Sequence, residues 1–286
     1  MIVRIVLILS LAVLTAGCGS NGYGGDARRT SVAAAFYPLA YAAEEIGGDG
    51  AAVRNLTPAG GEPHDAELSA RDVERIRAAD VVFYLGSGFQ PAFEKAVDGA
   101  SGEVVDLLGA VPVIEEQGGG EVDPHVWLDP LRYATMAQHI GEALDPSEPA
   151  AAFGDRLRAL HGEFRRGLVD CDRREIVTSH AAFGYLANRY DLQQISITGI
   201  EPEAEPTARE LESVIRDVKA SGAKTVFFET LVSPKLAETV AREAGARTAV
   251  LNPIEGLSEE ELARGETYFS LMRENLEVLR RALGCR

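Results

Sequence analysis

Short runs of β-branched and aromatic residues alternate with longer amphipathic segments along most of this chain. The first series of short runs lies at residues 32–36, 53–56, 81–85 and 104–106. The second series lies at residues 176–179, 195–197, 225–228 and 247–251, and a last helical pattern covers 268–283. Strands that alternate with helices form parallel sheets, because each helix carries the chain back to the same end of the sheet. The predicted fold class is therefore α/β, with two lobes that each contain a parallel sheet.

A single amphipathic segment separates the two series. Within it, Phe153, Leu157, Leu160 and Phe164 recur at helical spacing, and charged residues occupy the other positions. Some 22 residues at 1.5 Å each span roughly 33 Å, about the width of a small domain. We predict one long connecting helix at 147–169, between an N-terminal lobe at 31–146 and a C-terminal lobe at 170–286.

The N-terminus has the organisation of an export signal. Arg4 precedes a run of twelve almost purely apolar residues, 5–16, and small residues then lead to Cys18. The run is shorter than the roughly 20 residues of a membrane-spanning helix. Its end resembles a bacterial lipobox, which predicts that residues 1–17 are removed and that Cys18 carries a lipid. An ordinary cleaved signal followed by a chance cysteine is the alternative, and the Gly-rich residues 18–30 are predicted to form a flexible tether.

The charge balance excludes one class of partner. Asp and Glu number 44 against 28 Lys and Arg, so the formal net charge is −16. A field of that sign repels phosphates, which a nucleic-acid-binding protein has to neutralise. We therefore expect no nucleic-acid partner.

If the export prediction holds, one of the three cysteines is the lipidation site and the other two are available to form a disulfide. With Cys18 lipidated, Cys171 and Cys285 remain in an exported chain, where the environment is oxidising. A disulfide between them is the expected outcome, and two free buried thiols are the alternative.

Three of the five histidines occupy distinctive positions. His64 and His125 each follow a proline, and His180 follows the predicted strand at 176–179. Residues at the carboxyl ends of parallel strands converge although they are distant in sequence, and three converging imidazoles indicate a divalent transition metal. Each histidine taken alone is also consistent with a capping or packing role. His139 and His161 lie within helical patterns and are expected to be ordinary helix residues.

Seven stretches along the mature chain extend this interpretation. They read, in order, GEPHDAELS (61–69), AADVVFYLG (78–86), DPHVWLDP (123–130), SHAAFGYL (179–186), FET (228–230), NPIEGL (252–257) and YFSLMRENL (268–276). Together they resemble the zinc- and manganese-binding solute-binding lipoproteins of ABC importers, often called cluster A-I, over nearly all of the mature chain.

The resemblance implies two Rossmann-like lobes, joined by one long helix, with one metal ion held between them. The implied function is capture of the ion outside the cytoplasm and its delivery to an ABC-transporter permease by a monomeric protein anchored to the membrane through its lipid. His64, His125 and His180 match ligand positions of the family. Manganese-preferring members often have a carboxylate in place of His180, so the third imidazole favours Zn²⁺ over Mn²⁺.

The fourth ligand has three candidates. Many members have Asp at the position of Asn252, whose neutral amide is a poor ligand, and others use a Glu three residues later, which Glu255 matches. We predict Glu255. In the alternative, Glu255 caps a helix entered near Leu257 and a water completes the metal shell. The short acidic segment 115–121 also departs from zinc-uptake members, which often carry a long His-rich loop there.

Two other functions are compatible with the three histidines and the predicted fold. Three histidines with an open fourth position would suit a zinc hydrolase, but a closed four-ligand site argues against it and no catalytic motif accompanies the histidines. A metal-dependent surface adhesin is compatible with the same fold. We predict a non-enzymatic binding protein.

Overall fold

The computed structural model describes residues 28–114 and 122–286. The predicted signal peptide, Cys18, the tether as far as residue 27 and the acidic segment 115–121 lie outside the described residues. Among the described helices, none combines the length and the apolar composition that crossing a bilayer requires.

The first half of the chain forms a four-stranded parallel sheet with helices around it. Its elements in order are β1 (Thr30–Ala34), α1 (Tyr37–Gly47), β2 (Ala51–Asn55), α2 (Ala70–Ala78), β3 (Val81–Tyr84), α3 (Pro91–Val97), β4 (Glu103–Asp106) and α4 (Pro130–Leu144). The strand order is β2-β1-β3-β4, and all neighbours are parallel.

The second half repeats this plan after one long helix. That helix, α5, covers Ser147–Gly167, where the sequence predicts it. The remaining elements are β5 (Glu175–Thr178), α6 (Gly184–Tyr190), β6 (Gln193–Ser196), α7 (Ala208–Ser221), β7 (Thr225–Phe228), α8 (Lys235–Ala244), β8 (Arg247–Val250), α9 (Glu259–Ala263) and α10 (Tyr268–Leu283). The strand order β6-β5-β7-β8 matches that of the first sheet, and the predicted α/β class with two parallel sheets is confirmed.

Helix boundaries differ from the sequence prediction where a capping side chain decides them. The pattern near residues 66–78 predicts a helix from residue 66, but α2 begins at Ala70. The Ser69 hydroxyl caps it by accepting a hydrogen bond from the Asp72 backbone N–H, and the Asp72 carboxylate accepts one from the Ser69 backbone N–H. The residues before Ser69 are thereby left free to form a loop. The short helix α9, close to where the alternative interpretation of Glu255 places a helix, begins with the same motif at Ser258 and Glu261.

The two lobes share one apolar core. Buried side chains from the first half, such as Phe36 and Trp127, pack in the same cluster as Tyr185 and Tyr268 from the second half. A second, smaller cluster lies within the C-terminal half and includes Val226 on β7. Because most of the core is continuous across the lobes, the loops between them are held by packing from both sides.

A disulfide closes the C-terminal end of the chain. Cys171, just after α5, is bonded to Cys285, just after α10, across a sequence separation of 114 residues. The predicted bridge is thus confirmed. Closing a loop of that length is worth about 4–5 kcal/mol in the chain-entropy model.

Candidate metal centre

Four buried side chains meet between the two sheets. His64 lies between β2 and α2, His125 between β4 and α4, and His180 just after β5. Glu255 follows β8. Each side chain is at most 1 % exposed, and one ligand atom from each lies within 4.8 Å of the other three. The carboxyl ends of the parallel strands therefore bring together the residues that the sequence analysis singled out.

The spacing of the ligand atoms fits a four-coordinate metal. His125 Nε2 lies 3.0 Å from Glu255 Oε1, and His180 Nε2 lies 3.3 Å from both His125 Nε2 and Glu255 Oε1. His64 Nε2 is 3.8 Å from Glu255 Oε1. A tetrahedral zinc site with bonds of about 2.0–2.1 Å has ligand-to-ligand edges of about 3.3 Å. The ligand atoms of His125, His180 and Glu255 are close to that spacing, and His64 has to move closer to them to complete it.

Asp123 orients the His125 ring. Its Oδ1 accepts the backbone N–H of His125 at 2.9 Å and lies 2.8 Å from the ring Nδ1. A carboxylate at Nδ1 holds the proton on that nitrogen, so the lone pair of Nε2 faces the centre of the cluster. Asp123 is itself held in place because the next residue, Pro124, stiffens the backbone between the two.

Glu229 orients the His180 ring in the same way, although it follows a different strand. It follows β7, and its Oε1 lies 2.8 Å from His180 Nδ1 and accepts a hydrogen bond from the Ser179 hydroxyl at 2.8 Å. The carboxylate is buried. Sequence analysis did not assign Asp123 or Glu229 a role.

His64 has the loosest surroundings of the three imidazoles. Both of its ring nitrogens are buried without a hydrogen bond. Glu201 Oε2 lies 3.7 Å from Nδ1, and the Glu201 side chain is 51 % exposed. The backbone is better fixed, since Gln90 donates to the Pro63 carbonyl at 3.1 Å and Glu62 accepts the His64 N–H at 3.2 Å.

Glu255 reaches the cluster from a tight turn after β8. Asn252 stabilises this turn: its Oδ1 accepts the N–H of Ile254 at 2.7 Å, and Ile254 has a φ of 57°, which is rare for a β-branched residue. The Asn252 amide nitrogen donates to Glu261 at 2.8 Å. Asn252 therefore faces away from the cluster.

The alternative capping role for Glu255 is wrong. Helix α9 begins after Ser258 and is capped by Ser258 and Glu261. The Oε2 atom of Glu255 is buried without a hydrogen-bond partner, as are both ring nitrogens of His64. Buried polar atoms are rarely unpaired in folded proteins, so unpaired atoms of two neighbouring candidate ligands indicate a site that accepts a cation.

The pKa values show how burial and neighbouring charges set the protonation of the cluster's side chains. Burial lowers the pKa of His64, but the carboxylates of Glu201 and Glu255 raise it more, to about 10. Burial also opposes charge on His180, whose pKa is nonetheless raised to about 10 by Glu229 and Glu255. Burial raises the pKa of Glu255, yet the three imidazoles hold it well below its usual value. The surrounding carboxylates therefore favour the cationic, doubly protonated form of His64 and His180, and a metal cation has to displace the extra protons.

Glu62 lies at the edge of the cluster. Burial and the Glu255 charge raise the pKa of its carboxyl to about 8. The Glu62 carboxyl is therefore largely protonated at neutral pH, and a cation bound beside Glu255 would favour its ionised form.

The other two histidines lie away from the cluster. His139 is on α4, 42 % exposed, with its Nδ1 3.3 Å from Glu142 one helical turn further on. His161 is on α5, 3.3 Å from the Tyr190 hydroxyl, and burial and nearby arginines lower its pKa. Neither belongs to the group of candidate ligands.

Comparisons with known sequences give consistent matches. The sequence model of ZnuA, described as zinc-uptake complex component A, periplasmic, matches residues 32–282. The zinc-binding lipoprotein AdcA of Streptococcus pneumoniae is 35 % identical over 300 residues, which cover 96 % of this chain and 60 % of that protein. The high-affinity zinc uptake system protein ZnuA of Bacillus subtilis is 32 % identical, with 97 % of this chain and 96 % of that protein covered. The chain thus spans about 60 % of the length of AdcA and nearly all of that ZnuA.

A solved structure agrees with these matches. The Zn(II)-bound ZnuA-like domain of Streptococcus pneumoniae AdcA superposes with a TM-score of 0.77 at 35 % identity, and the match covers 90 % of this chain and 99 % of that domain. The similarity therefore extends over both sheets and the cluster between them.

Proposed function

The chain belongs to the ZnuA family of zinc-uptake proteins, and we propose that it captures Zn²⁺ outside the cytoplasm with high affinity and passes it to an ABC importer. The observation that carries this proposal is the closed set of three imidazoles and one carboxylate, His64, His125, His180 and Glu255, all buried between the lobes. Zinc is the cargo, held by the protein and then released.

The ligand chemistry supports zinc over manganese. Imidazole nitrogen suits Zn²⁺, whereas Mn²⁺ favours oxygen ligands and six-coordinate geometry. Here three of four candidate ligand atoms are nitrogens, and their spacing fits four-coordination. Manganese is expected to bind more weakly at the same place.

A binding role is supported over catalysis. A zinc hydrolase keeps a position open for water, whose pKa the metal lowers. With Glu255 as fourth ligand, a tetrahedral ion has no such position. The proposal is therefore a carrier without enzymatic activity.

The rest of the proposal concerns delivery and anchoring. We propose cleavage after residue 17, a lipid on Cys18, a tether at 18–30 and the two lobes at 31–146 and 170–286 around the helix at 147–169. The lipid would keep the monomeric protein at the membrane, close to the permease. AdcA is named a lipoprotein, which supports this arrangement.

Metal content of the purified chain is the direct test. We expect one Zn²⁺ per chain, and Mn²⁺ should not displace it in competition. Replacing any of His64, His125 or His180 by Ala should reduce zinc retention strongly, whereas His139→Ala and His161→Ala should leave it unchanged. If either of the last two matters as much as the first three, the proposed site is wrong.

The fourth ligand has its own matched pair of variants. Glu255→Ala should lower zinc affinity by about tenfold or more, because it removes the only negative charge among the four ligands. Asn252→Ala should weaken zinc binding far less, since it acts only through the turn at Ile254. Zinc binding by Glu255→Ala equal to that of the parent would mean that another group or water completes the shell.

A further inference from the structure

Each of the three imidazoles has a carboxylate near its Nδ1, but the third pair differs from the other two. Asp123 and Glu229 lie 2.8 Å from the Nδ1 atoms of His125 and His180. Both carboxylates are buried and belong to the same lobe as the ring they orient. Glu201 is half exposed, lies 3.7 Å from His64 Nδ1 and comes from the opposite lobe.

The position of Glu201 follows from the topology. It lies in the loop between β6 and α7 of the second sheet, whereas His64 lies between β2 and α2 of the first. The described part of the His64 lobe places no carboxylate of its own within ion-pair distance of His64 Nδ1. The two loops therefore meet across the cleft that separates the lobes.

We infer that Glu201 is a positioning residue for His64 that acts across the cleft and slows the release of bound zinc. The inference rests on the proposed zinc function. A metal on Nε2 withdraws electron density from the ring, so the Nδ1–H becomes a better donor and a nearby carboxylate stabilises the bound state. The 3.7 Å separation is short enough to close to a hydrogen bond through rotation of an exposed side chain.

The arrangement also gives His64 a distinct role in the release of bound zinc. Its orienting carboxylate is the only one of the three that can part from its ring through movement of one loop, because the other two belong to the same lobe as their rings. Separation of the β6–α7 loop from His64 would loosen one ligand and leave three in place. Zinc release would then begin at His64.

The test compares Glu201→Gln with Glu203→Gln. Both remove one charge from the same loop, but Glu203 is exposed and forms no ion pair with a described residue. We expect Glu201→Gln to raise the zinc dissociation rate into excess chelator about fivefold, below the 10–100-fold found for buried partners of metal ligands. Glu203→Gln should stay within about twofold of the parent, the small general effect expected of an exposed charge.

Two further measurements separate positioning from general electrostatics. The visible spectrum of the Co²⁺-loaded chain should shift in Glu201→Gln and not in Glu203→Gln, because only the first alters a ligand. In a His64→Ala background, Glu201→Gln should cause no additional increase in dissociation rate.

Equal dissociation rates for the two Gln variants would overturn the inference, as would an undiminished effect in the His64→Ala background. Neither result would affect the proposed function, which is tested by the zinc content of the parent chain. A parent chain without one zinc would instead refute the proposed function.

Discussion

Two loops of the N-terminal lobe each carry a candidate ligand, and they are embedded to very different extents. In the His125 loop, residues 123–129, every residue is buried. In the His64 loop, residues 57–69, residues 58–60, 65, 67 and 69 are exposed, and the buried ones are Thr57, Pro63 and His64. Both loops lie at the carboxyl end of the same sheet, one after β2 and the other after β4, which are the strands at its two opposite edges.

The C-terminal lobe accounts for the difference. It contacts the His125 loop in several places: the Trp127 indole N–H donates to the Pro253 carbonyl at 2.8 Å, and the Tyr185 hydroxyl donates to the Asp123 carbonyl at 2.7 Å. Arg189 also forms a forked pair with the buried Asp129. The His64 loop has one backbone hydrogen bond to that lobe, from Gly60 to Leu257 at 2.8 Å, and the exposed Glu201 nearby.

This contrast indicates how a carrier can hold zinc tightly and still release it. A rigid ligand loop keeps most of the site preorganised, so little ordering is required when zinc binds. A loosely held ligand loop supplies the movement that opens the site. We therefore expect the two loops to differ in their contribution to stability, in the hydrogen exchange of their backbone amides and in their response to zinc.

The largest expected effect is on folding. Trp127→Ala should lower the free energy of unfolding by about 3–5 kcal/mol, because it empties a buried site and leaves the Pro253 carbonyl unpaired. Leu68→Ala, a half-buried residue of the His64 loop, should cost about 1 kcal/mol. Urea denaturation with zinc removed measures both. Equal costs would show that the two loops are equally embedded.

Hydrogen exchange should show the same contrast in the unmodified protein. Backbone amides in residues 58–67 should exchange at least about tenfold more slowly with zinc than without, since zinc binds only the closed loop. Amides in residues 123–129 should be protected in both states. Rapid exchange of residues 123–129 in the zinc-free protein would contradict the rigid role of that loop.

The raised pKa values predict proton release when zinc binds. His64 and His180, with pKa values of about 10, are protonated at pH 8 until zinc displaces the protons. Binding at pH 8 should release about two protons, measured by calorimetry in buffers of different ionisation enthalpy. His64→Gln should reduce the number of released protons to about one. No dependence on the buffer would show that the imidazoles are already neutral.

The same groups set the pH dependence of the zinc-free fold. The folded chain keeps protons on His64 and His180 above their ordinary pKa near 6.5, and on Glu62 above 4.5 up to about 8. Their stabilising contribution is complete below the ordinary pKa values and is lost as the pH rises toward 10. The melting temperature of the zinc-free chain should therefore fall between pH 6.5 and 10, and zinc should reduce this fall.

The smallest expected effect concerns the backbone of the His64 loop. Gly60 has a φ of 76°, which a side chain makes unfavourable, and its N–H bonds to Leu257. Gly60→Ala should destabilise the chain by about 1 kcal/mol and weaken zinc binding less than tenfold. Gly50→Ala is the control, because that glycine has no positive φ and open space around its Cα. Unchanged zinc binding in Gly60→Ala would show that the backbone strain stays local.

Much of the fold could be predicted because its signals are local. The β-branched runs predicted all eight strands to within about two residues, and the helical pattern at 268–283 predicted the bounds of α10. The predicted start of α2 was wrong because residues 66–68 include good helix formers, whereas the cap at Ser69 decides where the helix begins. Capping competes with periodicity at helix ends, and the stronger local hydrogen bonds prevail.

The candidate site was only partly predictable. Proline and strand-end positions singled out His64, His125 and His180, but Glu255 came from the family resemblance. The roles of Asp123, Glu229 and Glu201 were not foreseen. Glu229 and His180 are 49 residues apart, and nothing in either local sequence indicates the pairing.

The sequence by itself determined the element order, the two parallel sheets, the pairing of Cys171 with Cys285 and the three histidines, because each depends on local spacing or on the count of a residue type. Only the tertiary structure decided that Glu255 faces the histidines while Asn252 faces Glu261, and that the His125 loop is enclosed while the His64 loop is not. His125 and Glu255 are 130 residues apart. Contacts of that range are fixed by strand order and by the packing of one lobe against the other, which no local pattern encodes.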